Sequence, residues 1–108
     1  MYEPPKHITT FFIAGFQHYD GAFVLEKLQV GTKLDLVPQP DNPYDPYAIE
    51  LRFEDAKLGY VPKGTNELIS LLLFFGHDDV FETRVVQVNK DKDPWKQVRV
   101  GIYITDKR

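Results

Sequence analysis

The chain has 108 residues, 43% hydrophobic and 27% charged. That length and composition suit one domain with a buried core and exclude a disordered, collagen-like or coiled-coil protein. A net charge of −3 speaks against a protein that coats nucleic acid non-specifically, and the absence of cysteine removes disulfides, thiol chemistry and cysteine-ligated zinc.

Pro4 and Pro5 make residues 1–8 an extended tail. Thr9 to Ala14, β-branched and aromatic, reads as a strand that Gly15 breaks. Gln17 to Gly21 is a polar loop, and Phe23, Val24, Leu25 and Leu28 suit a short helix closed by Gly31. Lys33 to Val37 alternates polar and apolar at strand period. Pro38 to Pro46 carries four prolines with Asp41 and Asn42 and must be loop. Tyr47 to Phe53 and Lys57 to Val61 form a hairpin about Glu54-Asp55, with Ile49, Leu51 and Phe53 inward and Glu50 and Arg52 outward.

Thr65 is the expected N-cap of a helix over about residues 65–75, which presents Leu68, Leu71, Leu72 and Phe75 on one face. Phe81 to Val88 and Val98 to Thr105 form a second hairpin about the polar loop Asn89 to Lys96. The expected fold is mainly β: a small barrel of five to six strands, one main helix and a short second one, spanning residues 9–105 ahead of a short tail at 106–108. Phe11, Phe16, Phe23, Phe53, Phe74, Phe75 and Phe81 are assigned to the core. The N-terminus has no apolar run behind a basic start, and the longest apolar run, Leu71 to Phe75, is far short of a membrane span, so a cytoplasmic protein without membrane contact is expected.

Enzyme chemistry is hard to place. The one serine, Ser70, lies inside the predicted helix, and Gly59 and Gly64 match no phosphate-binding loop. His7, His18 and His77 lack the spacing of metal ligands. No catalytic residue, cofactor or metal is expected.

Three loops stand out: Ala14 to Gly21, Asp41 to Ile49, and Leu58 to Lys63. In the second, Pro43 and Pro46 stiffen the backbone around Tyr44 and Asp45, and Asn42 and Asp45 are of the type that bonds its own backbone in turns. Rigidity there serves equally a plain turn into a strand or a ligand site. In a site, Tyr44 would stack on a base and the Asp45 carboxylate would accept from a hydroxyl.

Together these loops resemble the HIRAN domain family, in Gly15 to Gly21, in Asn42-Pro43-Tyr44-Asp45 with Ala48-Ile49, and in Gly59-Tyr60-Val61-Pro62-Lys63. The resemblance runs from about Thr9 to Ile104. It implies an OB-like β-barrel with a helix, and a pocket that captures the 3′ end of single-stranded DNA by stacking its terminal bases and recognising the free hydroxyl. Carried over to this chain, Tyr44 meets the terminal nucleotide, Asp45 accepts from the 3′-hydroxyl, Lys63 meets a phosphate, and Trp95 stands near a second stacker. Tyr60 stands where fork-remodelling ATPases have a His. Gln17 and His18 stand where those proteins have Arg-Tyr; Gln17 cannot neutralise a phosphate, whereas His18 can stack and, protonated, pair with one. Single-stranded DNA or a DNA 3′ end is thus the implied partner, with a helicase or nuclease as the protein such a module would serve.

Charge is uneven in a way that fits. Residues 89–108 hold six Lys or Arg against three Asp, and residues 1–88 hold seven against thirteen acidic residues. An end-specific pocket neutralises only one or two phosphates and leans on stacking. The missing Arg and the acidic balance also support an alternative: a protein-interaction module of the same fold that has lost DNA-end binding, working through an apolar patch or a strand edge.

Overall fold

The computed structural model describes residues 6–105. Six strands, β1 (Lys6–Phe12), β2 (Lys33–Pro38), β3 (Ile49–Phe53), β4 (Ala56–Tyr60), β5 (Phe81–Val88) and β6 (Val98–Ile104), join in one antiparallel sheet of order β1-β6-β5-β2-β3-β4. Two helices, α1 (Gly21–Val24) and α2 (Glu67–Phe74), and several 3-10 turns fill the connections.

The strands form where side chains alternate, because one face of the sheet is buried. Phe81, Thr83 and Val85 on β5 and Val98, Val100 and Ile102 on β6 point inward, joined by Phe11 and Ile13, Leu34, Ile49, Leu51 and Leu58. β2 pairs with β5 at Lys33 and Leu34, then with β3 from Asp35 to Pro38, so it bends from one half of the sheet into the other. Extra residues at Ile8, Leu58 and Val86 bulge β1, β4 and β5 and add to the twist. The curled sheet brings its edges together at one place, where Ala14 and Tyr60 exchange both backbone hydrogen bonds at 2.9 Å. The fold is the expected mainly-β, OB-like one, but the sheet is not closed into the expected barrel, because that single bridge is all that joins its two edges.

The bridge depends on Gly59. Its φ is +146°, and a Cβ there would lie 2.4 Å from the Ala14 carbonyl oxygen, so only glycine lets the two chains approach.

Four details depart from expectation. The first strand starts at Lys6, not Thr9, because Lys6 and His7 pair with Ile104 and Tyr103 of β6; residues 6–8 are strand rather than tail, while Pro4, Pro5 and residues 106–108 lie outside the described residues. Helix α2 is capped by Asn66 rather than Thr65. It buries Ile69, Ser70 and Leu73 and leaves Leu68, Leu71 and Phe75 exposed, with Leu72 half-buried. Phe23, Phe74 and Phe75 are likewise outside the core that Phe11, Phe16 and Phe81 enter.

Candidate nucleic-acid interface

The loop from Gln39 to Ala48 is built by its own short polar side chains. Asn42 Oδ1 accepts from the backbone N–H groups of Tyr44, at 2.9 Å, and Asp45, at 3.1 Å. Asp45 Oδ1 accepts from the Tyr47 N–H at 2.9 Å, and the Ala48 N–H turns back to the Asp45 carbonyl, which delays β3 until Ile49. With Pro43 and Pro46 fixing φ on either side, the Tyr44-Asp45 step is held from both ends. Tyr44 cannot fold back onto the core, and its residue surface is 86% exposed.

Asp45 is also tied to α2. The buried Asn66 does not cap its helix with its side chain; its Nδ2 donates instead to Asp45 Oδ2 at 2.9 Å. The Tyr47 N–H and the Asn66 amide, with the Lys63 charge nearby, hold the Asp45 carboxyl below its ordinary value despite the opposing effect of burial. Ionised at neutral pH, it has acceptor sites left beyond the two in use.

The facing wall comes from β4 and the chain after it. The Tyr60 hydroxyl accepts from Lys57 Nζ at 2.8 Å and donates to Gln39 Oε1 at 2.9 Å, which also receives the Asn42 amide at 3.3 Å. Gln39 Nε2 donates to Glu50 Oε1 at 2.6 Å, while Arg52 and Lys57 pair with the same carboxylate. Glu50, read as outward-facing in the sequence, is therefore buried, because Gln39, Arg52 and Lys57 close over that side of the hairpin. Burial pulls the Lys57 ammonium down, but the Tyr60 hydroxyl, Tyr19 and Glu50 together outweigh it and hold the group above the ordinary lysine value. Lys57 Nζ lies 4.2 Å from the centroid of Tyr19 and 4.6 Å from that of Tyr60, and the two rings meet edge to face at 5.8 Å. Tyr60 thus has its hydroxyl engaged, and its ring serves as a fixed wall.

Between these walls is a cavity of about 340 Å³ lined by Tyr44, Asp45, Tyr60 and Lys63, and also by Tyr19, Asn42 and Ala14. Four of the seven residues singled out in the sequence meet here. Gln17, His18 and Trp95 do not line it. Gln17 and His18 are exposed in the 3-10 turn Phe16–His18, which Phe16 anchors in the core, and Trp95, 51% exposed, occupies the turn Pro94–Lys96. These two turns pack against each other, and Tyr19, next in chain to His18, joins them to the cavity. Lys90, in the same loop as Trp95, pairs with Glu26 at 3.5 Å.

Sequence reasoning missed the site roles of Tyr19, Lys57 and Asn66. Tyr19 was visible as a loop aromatic; Lys57 and Asn66 were not, since Lys57 is held by Glu50 across the hairpin and by the Tyr19 ring, and the partner of Asn66 lies 21 residues away. Among the described residues, no three His, Asp or Glu side chains gather as metal ligands would, and no helix is long and apolar enough to cross a membrane.

The chain is similar to a protein from Lactobacillus plantarum of known structure, at 24% identity and TM-score 0.75, over 94% of this chain and 95% of that one. It is similar also to the HIRAN domain of human HLTF, at 14% identity and TM-score 0.64, over 94% of this chain and 78% of that one. At these identities the likeness is one of fold. No curated protein matches the chain. The family model for the HIRAN domain matches residues 7–105. With nearly the whole chain matched and the OB-like sheet in place, the chain belongs to the HIRAN domain family, a family of nucleic-acid-binding modules.

Proposed function

We propose that the chain binds single-stranded DNA at a free 3′ end, in the cavity between Tyr44 and Tyr60. One observation carries the reading: an ionised, doubly anchored carboxylate, Asp45, lines the same cavity as an exposed tyrosine and a lysine. Aromatic faces stack on any base, a fixed carboxylate accepts from a hydroxyl and repels a phosphate, and Lys63, whose Nζ lies 3.5 Å from the Tyr44 carbonyl, is placed to meet one backbone phosphate. The strand then runs past Tyr19 toward His18 and Trp95, where Lys92 and Lys96 supply further charge. In this reading the chain holds a DNA end and catalyses nothing, and a helicase or nuclease acts on what it holds.

The test is fluorescence anisotropy with labelled oligonucleotides that end in 3′-hydroxyl or 3′-phosphate. We expect the hydroxyl form to bind at least about tenfold tighter, a difference of about 1.4 kcal/mol. Equal affinity for the two ends, or no binding at high micromolar protein, would overturn end recognition and favour the interaction-module alternative.

A further inference from the structure

Helix α2 carries apolar side chains all round but buries only one face. Leu68 is 68% exposed, Phe75 70% and Phe74 59%, with Leu71 beside them. Phe74 and Phe75 meet edge to face at 5.2 Å, which fixes two large rings at the open end of the helix. Against this face lies a groove of about 180 Å³, with Leu71 and Phe74 on one side and Pro38, Pro40, Pro46 and Tyr47 on the other. It shares no lining residue with the Asp45 cavity.

Carboxylates flank it. Glu67 shares the helix face of Leu71 and Phe74, at i, i+4 and i+7, and Asp41 follows Pro40 of the facing wall. Both are exposed, and among the described residues neither is in an ion pair. An apolar strip with an acidic border attracts a partner that is apolar on one side and positive around it. It also repels nucleic acid, so this face and the Asp45 cavity suit different partners.

We propose that the groove between α2 and the proline loop docks a basic amphipathic helix from another protein. Leu71 and Phe74 wall the groove and Leu68 and Phe75 are exposed beside them, a row that an antiparallel helix meets with its own apolar side chains while its lysines or arginines reach Asp41 and Glu67. The proposal is independent of DNA-end recognition.

A helical peptide of about 18 residues tests it, with Leu at i, i+3, i+4 and i+7 and Lys elsewhere, beside a second peptide in which Glu replaces every Lys. Titration calorimetry against the full chain should show the Lys peptide binding at least about tenfold tighter than the Glu peptide. Leu71→Asn with Phe74→Asn should abolish that binding while leaving oligonucleotide affinity unchanged. Asp41→Lys with Glu67→Lys should reverse the preference between the peptides. Equal affinity for the two peptides, no binding of the Lys peptide, or binding indifferent to both double variants overturns the proposal. So does a sedimenting dimer of the chain that Leu71→Asn with Phe74→Asn dissociates, since the occupant is then a second copy.

Discussion

Asp45 concentrates the chemistry of the cavity in one side chain. Both its oxygens already accept a hydrogen bond, from Tyr47 and Asn66, so its orientation is set before any ligand arrives. Asp45→Asn keeps the shape and removes the charge. We expect it to cost hydroxyl-ended DNA about 1.5–3 kcal/mol and to improve binding of phosphate-ended DNA, so that anisotropy titrations lose the discrimination between ends. The folded-state carboxyl titrates below its ordinary value. Its stabilising contribution is therefore complete above the unfolded-state value near 4, and is lost as pH falls through the lower folded-state value. The advantage of the native chain over Asp45→Asn for the hydroxyl end should accordingly be constant from about pH 8 to pH 5 and fall only below about pH 4, in titrations read alongside melting at each pH. Tyr44 is a different case, since an exposed ring contributes nothing to the core. Tyr44→Ala should weaken single-strand binding by about 1–3 kcal/mol with no change in melting temperature.

Among the elements, the hairpins were legible in the sequence and the helix face was not. In β6 Val98, Val100 and Ile102 alternate with Arg99, Gly101 and Tyr103, and in β5 Phe81, Thr83 and Val85 alternate with Glu82 and Arg84 as far as the bulge at Val86, so a one-residue slip would turn the buried set to solvent. In α2 apolar residues occupy Leu68, Ile69, Leu71, Leu72, Leu73, Phe74 and Phe75, and a helix apolar on every side has no periodicity to choose a face from. The choice fell to Ile69 and Leu73 because Asn66, bonded to Asp45, fixes the rotation of the first turn. Two backbone positions give stability tests. Glu54, in the β3–β4 turn, has φ +54°, a left-handed conformation that costs a side-chain-bearing residue about 1 kcal/mol, so Glu54→Gly should raise stability by about 0.5–1 kcal/mol in urea unfolding. Gly59→Ala should do the reverse, by more than about 2 kcal/mol, because the new Cβ collides with the Ala14 carbonyl and opens the bridge between Ala14 and Tyr60 of β4.

At the scale of the whole molecule, charge is partitioned by surface. One basic side chain, Lys63, lines the cavity directly, Lys57 lies behind its tyrosine wall, and the α2 side is acidic. Such a layout neutralises few phosphates. The logarithm of affinity for single-stranded DNA should fall with the logarithm of salt at a slope of about −1 to −2, and Lys63→Ala should flatten that slope by about 0.7, as anisotropy over a salt series would read. The same partition makes the proposed binding of a DNA end compatible with a net charge of −3.

By itself the sequence determined the strands, their pairing into two hairpins, the rigid turn at Asn42 to Asp45 and the family, because each rests on local alternation, turn chemistry or a contiguous motif. Only the tertiary structure decided which of the singled-out residues meet. Tyr44, Asp45, Tyr60 and Lys63 come together because the sheet curls until Ala14 reaches Tyr60, whereas Gln17, His18 and Trp95 gather on adjoining turns outside the cavity. It also decided that Glu50 is buried and that α2 turns Phe74 and Phe75 outward. These outcomes depend on partners far away along the chain, such as Asn66 for Asp45 and Gln39 for Tyr60, and no window of neighbouring residues contains them.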